Sequence, residues 1–384
     1  MKKRLFILNS PYLGGAERSF IHQIKLGLKG TSEEIKFLIP SLDKGDTDKI
    51  ENFIKLNIPH AKILTLSYPK SLFQISRSIK NPLSLFVLMQ LGLLIFKLRR
   101  IIKDQDLLWC NGNKIAFPFY LCARFFSFKG HFVWHFRDYP IDTGIFKIIW
   151  KLISGESFKL TFIGNSNDVV QELVQMTKRK VGVKRIYNPV GEKITKKETK
   201  EIKVISSVSM LAPWKGIHDL IHMVNVYEKG LIDLGVEEVR IYGAQIYQTA
   251  GGHEGYDKDL FKLKKSKLIQ FMGLESPKKI FSETDLLVHS ALKKEPFGRI
   301  LLEAFKANIP VVSTGLGGAG EIVENEKTGL IYRPHHYHEL FVQIEKIMQD
   351  QSLREKLQMC ALNRCIEIES TIEDSVKEVL SRGN

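Results

Sequence analysis

The chain has 384 residues, 44% hydrophobic and 26% charged, which excludes a disordered chain and is too long for one ordinary core. Its formal net charge of +15 calls for an anionic partner, whether nucleic acid, a membrane surface or a phosphorylated substrate. Cys110, Cys122, Cys360 and Cys365 show neither CxxC pairing nor metal-ligand spacing, which excludes a disulfide framework or structural zinc site and points to the cytoplasm.

Taken in chain order, Met1-Lys2-Lys3-Arg4 runs straight into a strand at 4–9, with no room for the apolar region of a signal peptide. Further strands are predicted at 35–38, 62–66, 107–110, 132–135 and 160–164, with helices at 16–28 and 83–102 among the segments between them. The apolar run 83–96 is shorter than the roughly 20 residues a spanning helix needs. Lys97, Arg99, Arg100 and Lys103 follow it, so it reads either as a buried helix with a solvated basic end or as a helix lying on anionic lipid.

The polar, Lys-rich stretch 191–201 suits a linker. A second series of strands follows at 203–208, 239–242, 269–272, 286–289, 310–313 and 330–332. The tail from 338 is helical throughout, with Leu340, Ile344, Ile347 and Met348 at helical spacing. The alternation predicts an α/β protein of two open parallel sheets. The basic clusters at 178–180, 196–197 and 262–267 are not interleaved with aromatic residues, and no nucleic-acid motif is present, so nucleic acid is not expected as a partner.

In open parallel sheets ligands bind outside the carboxyl ends of the strands, which makes the loops after strands the candidates. After 286–289 comes Lys294-Glu295-Pro296-Phe297-Gly298-Arg299-Ile300-Leu301-Leu302-Glu303-Ala304. Pro296 suits a helix start, Gly298 allows close backbone approach, and the N–H groups near Arg299 and Ile300 make an anion site. Glu295 on the loop and Glu303 on the helix can hold hydroxyls on opposite sides of one phosphate, as suits a nucleoside diphosphate sugar. The plainer alternative makes both glutamates ordinary charges favoured by the helix dipole.

With the strand-turn 309–318 behind it, this run resembles the retaining glycosyltransferases of family 4 (glycosyl transferases group 1), specifically over 269–332 and more loosely over most of the chain. The resemblance implies the GT-B fold, two Rossmann-like domains with parallel sheets facing a central cleft. It places an acceptor-side domain at 1–190, a nucleotide-sugar donor domain at 191–365, and a helix at 366–384 crossing back to the first. It also implies that Glu295 contacts the transferred sugar and Glu303 the ribose hydroxyls, with Phe297, Gly298, Arg299 and Ile300 completing the donor site.

The loop Ser209-Met210-Leu211-Ala212-Pro213-Trp214-Lys215-Gly216 resembles the family's diphosphate loop, which carries an arginine and then a lysine. Lys215 fits the lysine, whereas Met210 stands at the arginine position and leaves one cationic contact fewer. Gly14 and Gly15 match the N-terminal glycine loop. By the same resemblance His135 faces the donor sugar, Arg137 meets an anionic acceptor with Asp138 as a hydrogen-bond partner, and Gly243 lines the nucleotide pocket by backbone. Glu275 and Asn188-Pro189 also occupy familiar loop positions.

The implied activity is transfer of a sugar, with retention, from a nucleotide-sugar donor to a glycan or lipid-linked acceptor. The implied setting is surface polysaccharide or glycolipid synthesis, in the cytoplasm or at the inner face of an anionic membrane, with no metal and no cofactor. No Ser-His-Asp set, HExxH, Walker loop or paired-Asp motif is present, which suits a leaving diphosphate stabilised by Lys215 and helix N-termini. Glu295 is open to two roles, nucleophile or positioning group with departure and attack on one face, and the second is preferred. Two other functions stay open: a nucleotide-sugar epimerase of the same fold, or a non-catalytic nucleotide-sugar-binding module.

Overall fold

The structure is a computed structural model that describes residues 2–28, 34–43, 45–73, 85–141, 150, 159–178, 182–190, 201–244 and 255–381. The linker expected at 191–201 lies outside the described residues except for Glu201, as do positions 83 and 84 of the apolar run. The chain divides into two compact units: Met1–Pro189 with Ser370–Asn384, and Val190–Glu369.

The first unit is built on β1 (Lys3–Ile7), β2 (Glu34–Ser41), β3 (Lys62–Ser67), β4 (Leu107–Asn111), β5 (His131–Phe136), β6 (Leu160–Gly164) and β7 (Val183–Arg185). They form one sheet in the order β3-β2-β1-β4-β5-β6-β7, every pairing parallel. A parallel sheet covered on both faces needs continuously apolar strands. β4, β5 and β6 accordingly bury every residue, among them Trp109, Phe132, Trp134 and Phe162. The short β7 was not predicted, because its half-buried Val183-Lys184-Arg185 carries no apolar pattern.

The second unit has β8 (Val204–Val208), β9 (Glu238–Tyr242), β10 (Ile269–Gly273), β11 (Leu286–His289), β12 (Val311–Ser313) and β13 (Leu330–Ile331). Their order is β10-β9-β8-β11-β12-β13, again all parallel. Ile205, Ile241, Val288 and Val312 form the middle of its core, against Leu220 and Val224 of the helix Ile217–Asp233. The predicted α/β class with two Rossmann-like parallel sheets is what the structure contains.

The helical tail is two helices, Tyr337–Gln349 and Gln351–Ser381, broken at Asp350. Asp350 is extended, and its Oδ1 accepts from the Leu353 N–H at 2.9 Å, capping the second helix. That last helix gives its residues from Ser370 onward to the first unit. There Gly27 leaves room for Val376, since a Cβ on Gly27 would lie 2.2 Å from its Cγ1.

Candidate functional site

In the second sheet, β8 and β11 are neighbours from which the chain winds away in opposite directions. Such a switch point in the strand order opens a crevice at their carboxyl ends. The loop 209–216 leaves β8 and the loop 290–298 leaves β11. Backbone and side-chain hydrogen bonds join them: Leu292 N–H donates to the Trp214 carbonyl at 2.8 Å, and Ser290 Oγ donates to the Lys215 carbonyl at 2.9 Å. Gly216 has φ +67°, and a Cβ there would stand 1.9 Å from the Ser290 carbonyl oxygen. Only glycine permits that approach, which delivers Lys215 to the β11 loop.

Glu295 is 8% exposed and fixed through its backbone. Its N–H donates to the Leu316 carbonyl at 3.2 Å, and its carbonyl accepts from the Gly318 N–H at 2.7 Å. Gly318 must be glycine, because a Cβ would lie 2.4 Å from the Pro296 carbonyl oxygen. One oxygen of the Glu295 carboxylate pairs with the Lys215 ammonium. The other lies 3.3 Å from His289 Nε2, within ion-pair reach but off the hydrogen-bond axis. His289 Nδ1 meets Ser313 Oγ at 3.1 Å, a contact between residues paired across β11 and β12. Burial is the largest influence on Glu295 and acts to raise its pKa. His289 and Lys215 together outweigh it and hold the carboxyl well below the usual carboxylate range.

The helix Arg299–Lys306 starts after Gly298, whose φ of +88° suits glycine, and it has no side-chain cap. Pro296 therefore does not start the helix as expected; it lies in the turn clasped by Gly318. Glu303 is 5% exposed and receives Arg299 Nε at 2.8 Å. Burial raises its pKa, and Arg299 only partly offsets this.

A cavity of about 280 Å³ is lined by Val208, Ser209, Lys215, His289, Glu295, Gly298, Arg299, Ile300 and Glu303. The arrangement combines a cation, a carboxylate kept ionised, an uncapped helix N-terminus and a second buried carboxylate. Such a set can hold a dianionic diphosphate and hydroxyl groups on either side of it.

Of the residues singled out in the sequence, Lys215, Glu295, Gly298, Arg299, Ile300 and Glu303 thus meet around one cavity. Phe297 is buried, at 2% exposure, and is not among the lining residues. Half-buried Met210 is not among them either. Gly243 stands behind the loop: its φ is +138°, and a Cβ would lie 1.8 Å from the Ser209 carbonyl oxygen. Val208, Ser209 and His289 also line the cavity and are not among the residues singled out in the sequence. The only sequence signal for His289 is a polar ring closing an apolar strand just before the loop.

The first unit holds the other expected residues. Gly14 and Gly15 are exposed where α1 (Gly15–Gly27) begins. His135 is wholly buried near Phe20 and Trp109, each ring centroid 6.2 Å away. Among the described residues neither of its ring nitrogens has a hydrogen-bond partner. Burial, with Arg137 adding to it, holds its pKa well below the ordinary value, so the ring is neutral.

Arg137 is committed to protein partners. Its Nε donates to Asn111 Oδ1 at 2.5 Å, Nη1 to Asn188 Oδ1 at 2.5 Å and Nη2 to Gln23 Oε1 at 2.7 Å. Burial pushes its pKa down to about 9, against the pull of Glu17. Glu17 itself is pushed up to about 7 by burial, opposed by backbone hydrogen bonds and by Arg137. Asp138 is exposed, and its Oδ1 accepts from the Tyr139 N–H at 2.9 Å.

Residues 191–363 match the family Glycosyl transferases group 1. The capsular polysaccharide biosynthesis glycosyltransferase CapM of Staphylococcus aureus is 25% identical over 214 residues, 55% of this chain and 51% of CapM. The chain spans about half the length, or less, of the curated relatives it matches. Among solved structures, Anabaena Alr3699/HepE in complex with UDP and glucose aligns over 99% of each chain, with TM-score 0.75 and 20% identity. TarM of S. aureus, in a complex that includes UDP, aligns over 100% of this chain and 99% of its own, with TM-score 0.72 and 15% identity. The chain thus has the GT-B fold of two Rossmann-like domains, and its second unit carries a Glycosyl transferases group 1 domain.

Proposed function

We propose that the protein is a retaining glycosyltransferase of family 4 that transfers a sugar from a nucleotide-sugar donor to a glycan or lipid-linked acceptor. The observation that carries this reading is the cavity at the β8–β11 switch point, where Lys215, Glu295, the uncapped helix at Arg299 and Glu303 converge. Glu303 takes the ribose hydroxyls. Lys215 and the helix N-terminus hold the diphosphate and stabilise its charge as it leaves. Glu295 receives the hydroxyls of the transferred sugar.

Glu295 acts by position and charge. Its two carboxylate oxygens already face Lys215 and His289, and such neighbours quench a nucleophile. Departure and attack on one face of the sugar then account for retention. Lys215 changes partner when the diphosphate arrives, and no step calls for a metal. The first unit supplies the acceptor side.

Because HepE was solved with UDP and glucose, UDP-glucose is the first donor to try. Calorimetry with UDP, followed by detection of UDP release with and without lipid and glycan acceptors, tests the reading. Altered nucleotide sugar without an acceptor would make the protein an epimerase. UDP binding with no turnover on any acceptor would make it a binding module. Turnover is expected to continue in EDTA.

A membrane location is part of the proposal. Among the described residues no helix is long and apolar enough to cross a membrane. The helix Leu85–Ile102 buries Leu94, Leu98 and Ile102, and exposes Met89, Leu93 and Phe96 along one face. Lys97, Arg99, Arg100 and Lys103 are exposed at its end. Apolar side chains beside a basic cluster suit the headgroup region of an anionic bilayer, where a lipid-linked acceptor would be found.

A further inference from the structure

The helix Ile217–Asp233 starts directly after the Lys215 loop, and its first turn carries His218 and Asp219. The segment after β13 returns to this turn: the His335 N–H donates to Asp219 Oδ2 at 3.0 Å. His335 has φ +66°, a left-handed conformation uncommon for a residue other than glycine. One ligand atom from each of His218, Asp219 and His335 lies within 4.8 Å of the other two.

The two rings stand at the two different oxygens of the Asp219 carboxylate. His218 Nε2 is 3.6 Å from Asp219 Oδ1, and His335 Nδ1 is 3.5 Å from Asp219 Oδ2. Both exceed ordinary hydrogen-bond lengths. Two ligands bound tetrahedrally at 2.0–2.1 Å lie about 3.3 Å apart, close to the spacing seen. His218 Nδ1 meets the Tyr256 hydroxyl at 2.7 Å, an outer contact that fixes the ring with Nε2 toward Asp219. Asp219 is buried and His335 is largely exposed, so water can complete the coordination.

We propose that His218, Asp219 and His335 form a binding site for a divalent transition metal, of the zinc, nickel or copper class that imidazole and carboxylate ligands favour. The ion joins the segment after β13 to the first turn of the Ile217–Asp233 helix. Its role is to hold that turn in place, and no chemistry is routed through it. The inference is independent of the transferase reading, since it predicts metal binding whether or not the protein turns over.

The test uses untagged, chelator-stripped full-length protein. Cobalt(II) titration should produce the visible absorption of a nitrogen- and oxygen-ligated ion, with one equivalent bound. Zinc should compete it away, and magnesium should not. Zinc at about ten times its Kd should raise the Tm by about 2–4 °C. His218→Gln and His335→Gln should each weaken cobalt binding at least about 10-fold. Asp219 also holds the backbone of His335, so the two histidines carry the test and their folding is checked by circular dichroism. The double variant H336A/H338A controls for the neighbouring surface histidines and should bind as the parent does. No cobalt spectrum with the parent protein would overturn the site. Equal affinity in folded H218Q and H335Q would also overturn it.

Discussion

Lys215 and Glu295 are 80 positions apart in the sequence, yet their side chains form an ion pair at the carboxyl ends of two adjacent strands. The pair closes one side of the cavity and keeps a buried carboxylate ionised. A diphosphate entering the cavity would meet a lysine already in place, with little of its side-chain entropy left to lose.

Lys215→Ala removes that cation while leaving Glu295 buried beside His289. On a donor that the protein turns over, kcat/KM should fall by more than about 100-fold, about 3 kcal/mol of transition-state stabilisation. The measurement is steady-state kinetics, with UDP affinity determined in parallel. A loss below about 10-fold would move the leaving-group role elsewhere. Met210 leaves the loop without a second cation, which is why a large effect is expected at Lys215.

Glu303→Gln should weaken nucleotide binding by roughly 1.5–3 kcal/mol, the range for hydrogen bonds to a charged group. Burial raises the Glu303 pKa, so this carboxyl takes up a proton at a higher pH than an ordinary glutamate. Nucleotide affinity should therefore fall on acidification at a higher pH than an ordinary glutamate would set, and the pH profile of the variant should lack that step. Calorimetry across pH checks both. Equal affinity in parent and variant would remove Glu303 from the ribose site.

Glu17 links the first unit's stability to pH. Its folded pKa of about 7 lies above the ordinary glutamate value of 4.5, so the folded state holds this proton more tightly than the unfolded chain does. The contribution is fully present below about pH 4.5 and is lost as pH rises through about 7. Its full size is about 3 kcal/mol. Glu17→Gln cannot ionise and should melt higher than the parent at pH 8, with a smaller gap at pH 5. An identical pH dependence in the two proteins would assign the effect to another group.

On the exposed face of the helix Leu85–Ile102, Met89→Glu with Leu93→Glu should abolish flotation with anionic vesicles without lowering the Tm, since both side chains face solvent. High salt should weaken binding of the parent, because each basic residue near the surface contributes about 1 kcal/mol through screened attraction. Equal flotation of the parent with neutral and anionic vesicles would refute the membrane proposal.

Local pattern in the chain specified the two-sheet architecture and the short-range grammar of the site. Apolar strands of five or six residues alternating with amphipathic helices are short-range patterns, and so is a glycine before a helix with a glutamate one turn in. Glu295, Gly298, Arg299, Ile300 and Glu303 were legible for that reason, lying within nine consecutive positions. Tertiary structure alone decided what those groups face. His289 touches Ser313 because β11 and β12 are neighbours in a parallel ladder, and Lys215 reaches Glu295 because β8 and β11 meet where the strand order reverses. Arg299, placed in the donor site by resemblance, pairs with Glu303. Arg137, expected to face an acceptor, was tied to Asn111, Asn188 and Gln23. Burial, too, is set by every element that packs over a residue, so the raised pKa of Glu17 and the neutral ring of His135 could not be read from their neighbours in the chain. Local pattern specifies which elements form, while partner and protonation state depend on desolvation and on charges brought close by the fold.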